Sequence, residues 1–164
     1  MNEIMRLNTS LSPRQVIRLD FMKDLPISGG WGYDIESACI INQNDRKVNK
    51  KKPFDGIAIE KSFVEKRIYE EMIVLRNPGE QFAGISWNLI EQSLFNRDDR
   101  HFDKLIYEVI CFEQEIWNEL QSRYEEIMKN GTEELIPELD AYSEEKKHTL
   151  ISEFFFDITS FFGK

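Results

Sequence analysis

Two cysteines, two histidines and no apolar run of membrane-spanning length in 164 residues remove several classes of function at once. Cys39 and Cys111 sit inside apolar runs, Ala38 to Ile41 and Val109 to Phe112, so they read as small buried hydrophobes in a reducing compartment rather than as a disulfide. Around His101 and His148, the only imidazoles, no Ser/His/Asp or Cys/His nucleophilic arrangement can be argued from the sequence. The glycines of the 29–32 stretch are not followed by Lys-Ser or Lys-Thr, and the dinucleotide-binding spacing is missing, which excludes a phosphate loop. Met1 to Leu11 lacks the positive region and apolar stretch of a signal peptide. A cytoplasmic protein with no membrane partner and no cofactor is the expectation.

Aromatic area and charge are plentiful instead. Twelve Phe, five Tyr and three Trp in a chain of this length supply enough apolar surface for one domain, residues 1–164, with a core that needs no staple. The formal net charge of -9 has an uneven origin. Residues 113–145 hold eleven acidic residues against Arg123 and Lys129, an excess equal to the whole net charge, while the 19 acidic and 19 basic residues elsewhere cancel. Such a segment repels nucleic acid and anionic membrane and attracts basic protein surfaces. The run Arg46 to Lys52 is basic, but no stacking aromatics interleave it, so it reads as a solvated connector rather than a nucleic-acid site.

The fold class expected is α+β: an antiparallel or mixed sheet of about four strands with helices packed on it, two of them amphipathic and C-terminal. Ser12-Pro13-Arg14-Gln15 has the form of a capping box, yet Ile17 to Phe21 alternates like a strand, so residues 13–24 stay open between the two. Leu25 to Tyr33 reads as loop, residues 37–42 as a strand, and Phe54 to Glu60 as a second strand paired with it across the basic connector. A helix over 63–75 follows from a Ser62 capping box, and residues 86–95 read as a short helix, with a strand as the alternative. Lys104 to Phe112 is the clearest strand and belongs inside the sheet. Ile116, Trp117, Leu120, Tyr124, Ile127 and Met128 form a helical stripe ended by Asn130-Gly131. After a linker from Thr132 to Tyr142, Ser143 is expected to cap a last helix burying Leu150, Ile151, Phe154, Phe155, Ile158, Phe161 and Phe162, with Glu144 and Glu145 against its positive end.

Three sets of candidate residues emerge. Glu115, Glu119, Glu126, Glu133 and Glu134 make an acidic partner-binding surface. Trp31 and Tyr33, set among Gly29, Gly30 and Gly32, bring amphipathic rings that suit either a binding loop for a partner or small ligand or a structural turn. Asp98, Asp99, His101 and Asp103 place carboxylates and an imidazole within six residues, the donor types of metal-assisted hydrolysis, although Arg97 and Arg100 can neutralise them as a solvated loop.

The run LPISGGWGY from Leu25 to Tyr33, with Phe54-Asp55-Gly56 and the closing FDITSFF from Phe156 to Phe162, resembles small bacterial proteins encoded beside polymorphic toxins as immunity proteins. The likeness covers about a sixth of the chain and carries over no functional residue. It implies a non-enzymatic, stoichiometric binder that neutralises a basic toxin. The alternatives are a small metal-dependent hydrolase on Asp98, Asp99, His101 and Asp103, or a small-ligand binder around Trp31 and Tyr33.

Overall fold

Alternation of buried and exposed side chains along the last third builds the centre of the molecule, which the computed structural model describes over residues 5–163. The first four residues of the Met1 to Leu11 stretch and Lys164 lie outside the described residues. Five strands, β1 (Ile27–Gly29), β2 (Cys39–Ile41), β3 (Phe82–Arg97), β4 (Arg100–Glu113) and β5 (His148–Asp157), form one mixed sheet in the order β1-β2-β5-β4-β3. Only β2 and β5 run parallel, and the other neighbours are antiparallel. The α-helices are α1 (Pro13–Phe21), α2 (Gly56–Tyr69), α3 (Gln114–Asn130) and α4 (Ile136–Lys146). The α+β class thus holds, with one strand more than expected.

The largest departure from the sequence reading is β5, where a helix was expected. Leu150, Ser152, Phe154 and Phe156 point into the core at every second position, while Thr149, Ile151 and Glu153 face outward. Phe155 also faces outward but meets Phe95 and Phe102 in a small second cluster, so three consecutive phenylalanines are covered on both faces. Ser143 therefore caps nothing: it lies in the last turn of α4, where its carbonyl accepts from Lys147 N at 3.0 Å.

Three other expectations need correction. Phe54 to Glu60 is not a strand, because the Asp55 carboxylate accepts from Ala58 N at 3.0 Å and starts α2 at Gly56, well before Ser62. Ile57 is exposed, and the buried stripe is Glu60, Phe63, Val64, Arg67 and Ile68, whose charged members hide the helix from a hydrophobic count. β2 pairs with β1 and β5 instead, and β1 makes a strand of the expected loop with Pro26 just outside it. Residues 86–95 belong to β3: a bulge at Ile90 shifts the alternation by one, so Trp87, Ile90 and Leu94 fall at helix-like intervals. Residues 13–24 resolve in favour of helix α1, with the Ser12–Gln15 capping box formed in both directions.

Helix α2 and the π-helical turn that extends it, Glu70–Val74, cover one sheet face; Phe63 meets Phe156 edge-on at 5.5 Å and Tyr69 meets Trp87 at 5.6 Å. Each such Phe contributes about 1.5–3 kcal/mol on burial. At the centre of this layer lies Arg67, fully buried. Its guanidinium donates to the Trp31 carbonyl at 3.0 Å, to Ser152 Oγ at 2.8 Å and to the Glu153 carbonyl at 2.8 Å. Tyr33 and Phe154 present ring faces at 4.2 and 3.5 Å, and Glu71 approaches Nε at 3.7 Å.

Helices α3 and α4 join β4 to β5 as a hairpin and cover part of the opposite face through Phe112, Ile116 and Trp117. A second β3 bulge lets them dock: Gly84 has φ +59°, and a Cβ there would meet Trp117 at 2.3 Å.

Two substitutions probe these contacts. Gly84→Ala is expected to lower the unfolding free energy by about 1–3 kcal/mol in urea titrations, since both the backbone and Trp117 must yield. Arg67→Met, which strands Glu71 and two carbonyls, is expected to cost about 3–5 kcal/mol, with partial recovery when Glu71→Gln is added.

Candidate functional site

The α3–α4 hairpin carries the acidic segment. α3 begins directly after β4, with Glu113 as an extended N-cap, and ends at Gly131, whose left-handed conformation lets its N–H reach the Ile127 carbonyl. The expected linker is instead a 3₁₀ turn, Glu133–Leu135, leading into α4 with Pro137 in its first turn. Leu120, Ile127 and Leu139 zip the helices together, with Ile136 and Tyr142 packed against them. Only part of the expected stripe is buried, for Tyr124 and Met128 face solvent, as does Leu135.

All eleven acidic residues of 113–145 are exposed. Glu115, Glu126, Glu133 and Glu134 lie on this surface as expected, but Glu119 is engaged locally: it accepts from Tyr142 Oη at 2.8 Å and pairs with Arg123 at 3.7 Å. Glu144 and Glu145 do not serve a helix start, since they occupy the last turn of α4, where the backbone carbonyls already concentrate negative charge. Lys147 pairs with Glu144 at 2.8 Å and offsets part of that cost. Between the helices runs a groove of about 270 Å³ lined by Arg123, Glu126, Ile127, Leu135 and Glu138.

The other two candidate sets are placed differently. Trp31 is buried, lies tilted against Phe63 with ring centroids 6.0 Å apart and donates from Nε1 to Thr9 Oγ1 at 3.0 Å. The Tyr33 hydroxyl donates to Glu71 Oε2 at 2.5 Å and accepts from Leu7 N at 2.9 Å; burial, followed by the Glu71 charge, holds its pKa well above the ordinary phenol value. Gly32, at φ +84°, lets the loop lie against β5, where Phe155 N donates to its carbonyl at 2.8 Å. These rings are committed to the interior. Asp98 and Asp99, at φ 52° and 62°, are the two turn residues of the β3–β4 hairpin, as a type I′ turn demands. His101 stacks on Phe162 with ring centroids 4.1 Å apart, and its Nδ1 lies 2.6 Å from Asn96 Oδ1. Asp103 is buried and accepts from Gln92 Nε2 at 2.8 and 3.1 Å. Among the described residues, no group of three or more His, Cys, Asp or Glu side chains is arranged to hold a metal ion.

The sequence reading missed the buried acids along α2 and its extension: Glu60 lies in the stretch read as a strand, and Glu70 and Glu71 are charged residues at buried positions within the helix expected over 63–75. Glu60 is held above the usual carboxylate range by burial and then by its hydrogen bond to Asp103. Glu70 is pushed up to about 8 by burial, aided by the neighbouring Asp20 carboxylate. Glu71 is raised by burial against the opposing pull of Arg67 and Tyr33. Each of the first two pairs keeps a proton that water would remove, and Asp20 of the second pair lines an open groove of about 300 Å³ with Val16, Leu19 and Leu75.

Comparison with known protein families, with characterised proteins and with solved structures finds no match for this chain. No helix among the described residues is long and apolar enough to cross a membrane.

The retained protons set a pH dependence. Folded Glu60 and Glu70 bind protons that their unfolded counterparts release above about pH 4.3, so the contribution of these two groups to stability is fully present below that point and is lost as pH rises through about 8 for Glu70 and about 9 for Glu60. In urea unfolding at two pH values, Glu70→Gln is expected to stabilise the protein at pH 8.5 relative to wild type, with the gap closing near pH 5. A gap of equal size at both values would contradict the retained proton.

Proposed function

We propose that this chain is a non-enzymatic protein-binding module of the toxin-immunity type, acting in the cytoplasm and capturing a basic protein on the α3–α4 hairpin. One observation carries the reading: a surface that concentrates the whole net charge of the chain also exposes Tyr124, Met128 and Leu135 among its carboxylates. Charge alone steers encounter and rejects wrong partners, whereas exposed aromatic and methionine side chains supply the desolvated contacts that slow dissociation. The groove beside them suits a lysine or arginine, its stem on Ile127 and Leu135 and its head between Glu126 and Glu138. The rigid sheet behind the hairpin keeps the surface organised before binding, which limits the entropy lost on association.

The test uses a basic protein partner, sought first among the products of genes adjacent to this one. Stopped-flow association is expected to slow steeply between roughly 50 and 500 mM salt, as encounter between opposite fields is screened. Reversing Glu115, Glu126, Glu133 and Glu134 to Lys should slow association about tenfold or more with unfolding midpoints little changed, and Tyr124→Ala should act on dissociation. A salt-independent association rate would remove the hairpin from the reading.

A further inference from the structure

The two edges of the sheet are treated differently. β1 is three residues long, follows Pro26 and ends at Gly29, so it offers almost no ladder to an intruding strand. β3 is sixteen residues long, contains neither lysine nor proline, and carries one charged side chain, Glu91, before Arg97 closes it. Its outer half is open: Leu89, Ile90 and Leu94 are 47%, 55% and 59% exposed. Edge strands of this length normally carry lysines, prolines or inward charges that stop them pairing.

The regular part of this edge has a further property. A bulge interrupts β3 between Leu89 and Glu91, and the Asp98-Asp99 turn ends it after Arg97, so uninterrupted strand runs from Glu91 to Arg97. The centre of that stretch is Leu94. Antiparallel pairing with an identical strand about a two-fold axis at Leu94 sets Leu94 opposite Leu94, Gln92 opposite Asn96, and Glu91 opposite Arg97, the last two pairs occurring twice. Backbone parity agrees. In a two-residue hairpin the flanking pair, here Arg97 and Arg100, exchanges both backbone hydrogen bonds, so the N–H and C=O groups of Gln92, Leu94 and Asn96 point away from β4. Those are the residues that this register pairs by hydrogen bonds, about six in all. Glu91 and Arg97 then fall in the closer, non-hydrogen-bonded positions on the sheet face away from α2, where opposite charges attract most.

We propose that the Glu91–Arg97 stretch of β3 is a homodimer interface, joining two copies of the chain into one continuous ten-stranded sheet through this register. Net charge does not oppose it. The acidic hairpin meets β3 at Gly84, ten residues from the axis, and antiparallel pairing sends the two hairpins to opposite ends, on the order of 60 Å apart, against a screening length of about 8 Å. Arg97 already lies 3.7 Å from the exposed Glu36, a pair that leaves it on the face where the partner's Glu91 arrives. Both α2 helices lie on one side of the joined sheet, with the two Leu94 side chains between them.

Sedimentation velocity on the full chain at roughly 100 μM is expected to show a dimer that dissociates on dilution, as suits a small interface. Glu91→Arg alone and Arg97→Glu alone, each of which faces like charges twice, should give monomers, and the double reversal should restore the dimer. Under mild oxidation Leu94→Cys should cross-link to a covalent dimer, because the axis brings the two positions about 5.5 Å apart. A monomer at that concentration, a dimer indifferent to both single reversals, or reversals not rescued in combination would each overturn the proposal. So would a mixed oligomer formed through another edge or strand. None of these outcomes bears on the hairpin, whose binding is read separately by salt dependence.

Discussion

Arg67 is the constraint on which the rest of the structure depends. One guanidinium closes the carbonyl of the glycine loop at Trp31, the Ser152 hydroxyl and the Glu153 carbonyl of the central strand, and it does so between two ring faces with no access to water. Burial lowers its pKa, opposed by Glu71 and Tyr33, so its surroundings hold a charge that solvent would otherwise reclaim. Tyr33 passes the connection on to Leu7, which ties the N-terminal segment to the same point. The glycine loop, α2, β5 and the segment at Leu7 are thus positioned by one set of hydrogen bonds.

Charge is sorted in two opposite ways within the molecule. Around α2 the acids are buried and retain protons or oppose Arg67, which makes that layer sensitive to pH and leaves it no field to project. On the α3–α4 hairpin the acids are exposed, packed densely, and backed by few cations, which makes that surface an electrostatic landmark. A partner reading charge would sense the second set and be blind to the first. The hairpin is inserted between two neighbouring strands of a rigid sheet, so its surface is displayed without taking part in the main core.

Much of the acidic surface was legible in the sequence because exposed helices announce themselves: periodic apolar residues, an Asn-Gly stop and glutamates off the stripe need no tertiary information. What failed was the assignment of Glu144 and Glu145, since a linker with Pro137 in it looked like a break and is the first turn of a helix. The rings of Trp31 and Tyr33 could not be placed from local sequence, because glycine frees them equally for surface or interior. Asp98, Asp99, His101 and Asp103 are close in sequence, yet a turn, a ring stack and a buried amide contact divide them among different tasks.

By itself the sequence determined the α+β class, the confinement of net charge to residues 113–145, the interior strand Lys104 to Phe112, and helix α3 with its apolar stripe. Tertiary structure alone decided the rest. Charged residues at core positions concealed the start of α2, a bulge shifted the period of β3 into a helical disguise, and three consecutive phenylalanines became a strand because clusters on both faces of the sheet could cover them. In each case the signal that fixes local structure is a contact with residues far away in the chain, and periodicity within a window cannot register it.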